Sequence, residues 1–502
     1  MTSRRSFLGG VSSLALANLA SPLLATDASH PFTPQDVIEK ARSLSEAPFK
    51  ERAKVPQDWL TLTYEDYQTR WFRSRDALWS KTGRSYNVDF FLPGLYFPRA
   101  VQMHEVADGL SRPIPFDLSL FDKTDKAPPL STDGELGYSG FRLRTELNEP
   151  GKKTEFCVFQ GASYFRAIGL GQTYGLSARG LALKTADTDG EEFPEFTEFW
   201  LEAPAPDQHE IVVHALMDSP SVVGAYRFTI QPGLPCVMDV EATLFPRVDL
   251  THAGLAPLTS MFLFDRTNRS RFDDFRPAVH DSDGLLIANG NGETLWRPLA
   301  NPTRLQVSSF VDENPRGFGL MQRNRRLSDF ADLEANYEKR PSLWVEPKGD
   351  WGQGAVTLVE IPADKEIYDN IVAYWRPRDP FAAGSEVRLE YRLTWGDGPD
   401  LPLAQVIDTA AGARVFGPPG RIMTVDFAPH PLLEGDPDDL DAALTSLHVE
   451  LSQGVLQRNP DTGGLRLAFS FDPGPRDHVE LRAELRRDGR PISEVWLYRW
   501  TS

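Results

Sequence analysis

From Val387 to Trp395 the chain alternates without a break. Val387, Leu389, Tyr391, Leu393 and Trp395 are apolar, and Arg388, Glu390, Arg392 and Thr394 between them are polar. A period of two is that of a strand with one buried face. Strand-like runs follow one another at 193–199, 211–217, 222–230, 235–245, 465–471, 478–485 and 494–500, separated by Pro, Gly and Asp. Many short strands with turn residues between them predict an all-β sandwich. Helical patterning is confined mainly to the start. Thr33, Pro34 and Asp36 predict a capped helix with Val37, Ala41 and Leu44 on one face. Thr63 and Asp66 predict a second, with Tyr67, Trp71, Ala77 and Leu78 on its apolar side, and 437–447 predicts a short third.

The chain has 502 residues, including 40 Pro and 38 Gly. That length exceeds one compact core, so more than one domain is expected. Pro377, Pro380 and Gly384 interrupt the pattern. They divide a large β-sandwich at 30–378 from a smaller immunoglobulin-like sandwich at 385–502.

Charge narrows the partners. The net charge is −18, and removing residues 1–25, which hold Arg4 and Arg5 and no acid, takes it to −20. Such a chain repels nucleic acid and anionic membrane. Arg4-Arg5 followed by Phe7-Leu8 and a short, moderately apolar stretch ending at Ala25 reads as a twin-arginine signal peptide, which predicts export to the periplasm. No later segment reaches the ~18 apolar residues of a membrane helix, so no membrane insertion is expected. Cys157 and Cys236 each sit in an apolar run and predict two buried free thiols. Nine scattered His show no ligand spacing, so neither a metal nor a cofactor is expected.

Chemistry concentrates between His280 and Trp375, a stretch dense in Trp, Arg, Asp and Gly. Sugars suit such mixtures, because C–H faces stack on indoles while hydroxyls pair with guanidinium and carboxylate groups. Any single Trp there reads equally well as core. Glycoside cleavage needs two carboxyl groups, and the residues alone leave Asp281, Asp283, Glu293, Glu346 and Asp369 all open as members of the pair.

His280-Asp281-Ser282-Asp283-Gly284, Asn289 to Glu293, Arg297-Pro298-Leu299, Asp312 to Gly319, Arg340 to Pro347 and Asp369-Asn370-Ile371-Val372 occur in this order. Together they resemble the periplasmic glucan biosynthesis proteins of the G and D types, and the twin-arginine leader resembles that of the D type. The resemblance implies a galactose-mutarotase-like large sandwich followed by an immunoglobulin-like one. It also implies action on β-1,2-glucan as an anomer-inverting glycoside hydrolase or transglycosylase, with cyclisation as one form of transfer, and the inner-membrane glucan synthase as a neighbour. A non-catalytic protein that guides the nascent glucan is the alternative. By the same resemblance Asp369 is the general acid, Asp281 the general base, and Tyr337 lines their site. The expected substrate-binding set is His280, Asp283, Trp296, Arg297, Arg323, Tyr337, Arg340, Trp344, Glu346 and Trp351. Burial beside Ile367, Tyr368 and Ile371 is expected to keep Asp369 protonated. Where hydrolytic relatives carry a hydroxyl residue two positions before the acid, this chain has Ile367. An alkyl side chain relays no proton, which favours attack by a sugar hydroxyl over attack by water.

Overall fold

The computed structural model of the chain describes residues 29–502; the twin-arginine leader lies outside them. The protein is nearly all β and built as sandwiches, as the alternation predicts. The predicted runs become strands Glu195–Glu202, Ile211–Asp218, Val222–Gln231 and Cys236–Pro246, which pair in sequence as antiparallel neighbours. They belong to a 16-stranded sheet, and a 10-stranded sheet faces it. The main core fills the space between, with Phe141, Phe159, Phe165, Phe228, Trp375 and Trp395 among its members. Cys157 and Cys236 are free and buried in this core.

A second core lies in a smaller sandwich at the C-terminal end. One face is the four-stranded sheet of Val406–Ala413, Arg421–Phe427, Leu465–Phe471 and Val455–Arg458. The other holds Asp441–Thr445, His478–Arg487 and Val495–Thr501, and it continues the large sheet through a parallel contact of Val495–Thr501 with Thr294–Pro298.

Strand Val387–Gly396 corrects the expected division at 385. It does not open the small sandwich. It lies inside the large sheet, antiparallel to Cys236–Pro246 on one side and to Ser342–Lys348 on the other. Its alternation is real, with Tyr391, Leu393 and Trp395 in the main core. Period two reports a buried face but not whose face it covers.

Helix Pro34–Ser45 forms as predicted. The Asp36 carboxylate accepts from the Thr33 N–H at 2.6 Å, and Val37 and Ala41 are buried. The second helix is shorter than predicted, spanning only Tyr64–Gln68. Arg70–Phe72 leaves it to pair with Phe121–Lys123, and Trp71 is half exposed, so the apolar side predicted to include it does not exist. The helix expected at 437–447 is a single 3-10 turn, Pro437–Asp439, followed by strand Asp441–Thr445. Among the described residues, no helix is long and apolar enough to cross a membrane.

Candidate active site

Two loops at one end of the 10-stranded sheet bring the acids together. Strand Ala253–Ser260 pairs with Ile371–Pro377, so Ser260 and Ile371 mark the same sheet end. Beyond Ser260 the chain runs through Phe262–Phe264, which pairs with Val279–His280, and Asp281 follows directly. Its N–H donates to the Met261 carbonyl at 2.8 Å. On the other side Asp369 stands one residue, Asn370, before Ile371–Pro377. Its position is set by Asn370, which is buried and fully partnered. The Asn370 N–H donates to Ser260 O at 3.1 Å, its Oδ1 accepts from Phe262 N at 2.8 Å, and its Nδ2 donates to Phe262 O and Ile361 O at 2.9 and 3.0 Å.

The two carboxyl groups differ in setting. Asp281 is 5% exposed and forms an ion pair with Arg340, whose guanidinium lies 4.2 Å over the buried Tyr337 ring. Burial pushes the Asp281 carboxyl up to about 6, against the pull of Arg340 and with a further upward push from Asp369. Asp369 is exposed, not buried, and its neighbours Ile367 and Tyr368 are exposed with it, which corrects the expectation of an apolar pocket formed by them. The pKa of Asp369 is still raised by desolvation, opposed by Arg166, Arg179 and Arg340. Water reaches the group, while protein on most sides thins its hydration. The two observations together describe a carboxyl on the wall of an open cleft.

Sequence reading missed the floor of that cleft, which comes from strands Tyr164–Ala167 and Ser177–Arg179. Phe165, Ala167 and Ala178 point into the main core, so Tyr164, Arg166 and Arg179 stand on the outer face. Arg179 donates to Thr259 Oγ1 at 2.8 Å and to Glu191 at 2.6 Å, and stacks 4.7 Å over Tyr164. Arg166 is exposed and has no ion-pair partner among the described residues. Tyr164 and Arg166 also line a cavity of about 580 Å³, together with Phe91, Phe97, Glu155 and Tyr174. Its aromatic lining is Tyr and Phe, contributed by short strands and loops with no motif-like spacing. A larger cavity, about 930 Å³, lies elsewhere, beside helix Pro34–Ser45, and contains none of the expected residues.

Of the expected set, Asp281, Asp369, Arg340 and Tyr337 come together. His280 lies beneath them, fully buried, stacked on Phe262 and paired through Nδ1 with Gln322 at 2.9 Å. Burial lowers its pKa to about 3, so it stays neutral. Asp283 is also buried, accepting from the N–H groups of Arg323 and Asn324 at 2.8 and 3.2 Å. The remaining six are not in the cleft. Trp296 and Trp344 pack in the second core. Arg323 stacks 3.6 Å over Trp296 and forks onto the buried Glu494 at 2.6 and 2.7 Å. Arg297 is buried beside Glu360 at 3.5 Å. Glu346 is exposed on its strand opposite Arg392, and Trp351 packs edge-on against Tyr391. No group of three or more His, Cys, Asp or Glu among the described residues has the arrangement of a metal site.

Residues 32–500 match the family described as periplasmic glucan biosynthesis protein, MdoG. The chain is 48% identical over 476 residues to glucans biosynthesis protein G of Shewanella frigidimarina, covering 94% of this chain and 85% of that protein. It is 48% identical over 476 residues to the protein of the same name from Bradyrhizobium diazoefficiens, covering 94% and 93%. Against that of Vibrio cholerae the identity is 48% over 477 residues, covering 94% and 87%. With the match spanning both sandwiches, the chain belongs to the periplasmic glucan biosynthesis family.

Proposed function

We propose that this protein acts on β-1,2-linked glucan in the periplasm during glucan biosynthesis, as an anomer-inverting glycoside hydrolase or transglycosylase. Asp369 gives its proton to the oxygen between two glucose units as the bond to the anomeric carbon breaks. Asp281 takes a proton from the attacking hydroxyl, whether of water or of a sugar, on the opposite face. The observation that carries this reading is the pair itself. Asp281 and Asp369 lie on separate loops, desolvation raises the pKa of both, and Asp369 adds to the upward push on Asp281. Arg340 keeps Asp281 ionised near neutral pH. A glucan lying in the cleft displaces water from Asp369 and raises its pKa further, toward that of a competent acid. Arg166 and Tyr164 offer a charged donor and a ring face to the sugar. The absence of a hydroxyl at Ile367 favours transfer, including ring closure. The twin-arginine sequence at Arg4-Arg5 supports the D type and export by that route, although the relatives above carry the name G. The inner-membrane synthase that makes the nascent polymer is the proposed neighbour.

The test is incubation of the mature protein with linear β-1,2-glucan, with products read by mass spectrometry. Shortened chains indicate hydrolysis, and rings lighter by one water than linear chains of equal length indicate cyclisation. Asp369→Asn is expected to lower the rate by about 100-fold or more. Unchanged chain lengths with the wild type would leave the protein as a non-catalytic glucan guide.

A further inference from the structure

Among the described residues, 364–369, the outer part of the loop that ends in Asp369, make no hydrogen bond to the rest of the protein. Its feet are fixed: Asn301 Nδ2 donates to Ala363 O at 2.8 Å, its Oδ1 accepts from Ala363 N at 3.0 Å, and Asn370 closes the far side. Between these feet, among the described residues, one side-chain interaction ties the loop to the rest of the protein. The Glu366 carboxylate forms an ion pair with Arg276 at 2.7 Å.

Arg276 holds three carboxylates from three segments. Nη2 donates to Asp274 Oδ2 at 2.8 Å, within its own segment, which leads into Val279–His280 and Asp281. Nη1 donates to Asp332 Oδ2 at 2.8 Å. Asp332 lies between the short helix Leu327–Phe330 and the turn Tyr337–Lys339. Its Oδ1 accepts from the N–H groups of Glu334 and Ala335 at 2.9 and 2.8 Å, and the Ala335 carbonyl in turn accepts from Arg340 at 3.2 Å. The guanidinium is only 13% exposed, and its pKa is raised by Asp274 first and by Glu366 and Asp332 after it. A planar fork of fixed geometry sets the relative positions of its partners in a way a flexible ammonium does not.

Resting on the proposed function, we infer that Arg276 is a positioning residue that holds the Asp369 loop and the Tyr337–Arg340 segment in register with Asp281. It touches neither the acid nor the base. It fixes the loop middle from which the acid projects and the segment from which Arg340 reaches the base. A catalytic group displaced by about 1 Å loses on the order of 100-fold in rate, while a partly exposed ion pair adds little to stability. The interaction therefore acts mainly on geometry.

The experiment compares the mature wild type with Arg276→Met, Arg276→Lys and Glu366→Gln, the last altering only a partly exposed side chain. Hydrogen exchange is expected to accelerate at least about tenfold in residues 361–369 and 331–340 of Arg276→Met, with the core strands beneath unchanged. Glu366→Gln should accelerate 361–369 alone. On linear β-1,2-glucan, kcat should fall about 100-fold in Arg276→Met with KM within about threefold, and Arg276→Lys should recover part of the loss. Unaltered exchange in both segments would overturn the inference whatever the activity. Faster exchange in a protein whose wild type leaves the glucan intact would uphold the clamp and overturn the catalytic reading instead.

Discussion

Asp281 and Asp283 stand two residues apart, both pushed up to about 6 by burial, with Arg340 facing one and Arg323 the other. A carboxyl whose folded pKa lies above its ordinary 3.8 binds protons more readily in the native state than in the unfolded chain. Between pH 4 and 6 the native protein therefore carries more protons, and this contribution to stability falls as pH rises through that window. The expected outcome is a wild-type urea midpoint that gains on that of Asp281→Asn as the pH falls from 7 to 5. The whole pKa shift corresponds to roughly 2–3 kcal/mol, about half of it expressed in that window. An equal slope in wild type and variant would show that Asp281 is not the desolvated group described. Activity moves the other way, because the base must be ionised: the acid limb of the rate profile should fall below about pH 6. His280, lowered to about 3, stays neutral in the native protein and adds no step to the rate profile, but its unfolded form gains a proton below about 6.5, so it opposes the gain in stability on acidification and does so equally in wild type and variant.

At the scale of strands, legibility depended on how many faces were buried. Val387–Gly396 in the large sheet and Leu465–Phe471 in the small sandwich were readable because period two marks one buried face. Ser342–Lys348 has two. Leu343 and Val345 enter the main core while Trp344 enters the second. The same holds for Thr294–Pro298, where Leu295 faces one core and Trp296 the other. A strand covered on both sides reads like one that offers an indole to a ligand, and the charged neighbours deepened the ambiguity. Those charges are buried pairs, Arg297 with Glu360 and Arg323 with Glu494, and sequence does not reveal pairing across 63 or 171 residues. The nearby glycines carried a usable signal. A Cβ on Gly284 would collide with the Trp296 ring, and one on Gly317 with that of Trp344, so each indole lies flat against a strand rather than projecting into a cleft. The proposed acid and base were legible only through motif resemblance, and Tyr164, Arg166 and Arg179 not at all, since short strands leave no periodicity. Trp344→Ala should therefore destabilise the fold by about 3–5 kcal/mol and leave glucan affinity unchanged. Denaturant titration and calorimetry of glucan binding check the two halves, and a large affinity loss in a fully folded variant would restore Trp344 to the site.

The two sandwiches share more than a linker. Leu286, Ala288, Trp296, Met321 and Trp344 come from the large sheet yet pack in the core of the small sandwich. Glu494, fully buried, accepts from Val406 N at 2.9 Å and from the Arg323 fork. Arg323 in turn donates its backbone N–H to Asp283, two residues from the proposed base. The neighbouring Gln322 donates to the His280 carbonyl at 2.9 Å. A path of direct contacts thus runs from the C-terminal strands to the segment that carries Asp281. Ending the chain at residue 400 would strip five apolar side chains of their partners and remove the carboxylate that the Arg323 fork holds. Leu286, Trp296, Met321 and Trp344, each a large side chain newly exposed, forfeit about 2 kcal/mol of burial apiece. The sum is comparable to the whole stability of a domain. Residues 29–400 are therefore expected to be insoluble or to lack a cooperative melt, although they contain both proposed catalytic acids and the entire cleft. Circular dichroism during heating, beside the mature full-length chain, measures this. A soluble fragment with a sharp transition would mean that the second core is an accessory, and that the contacts from Glu494 to Asp283 do not set the geometry of the site.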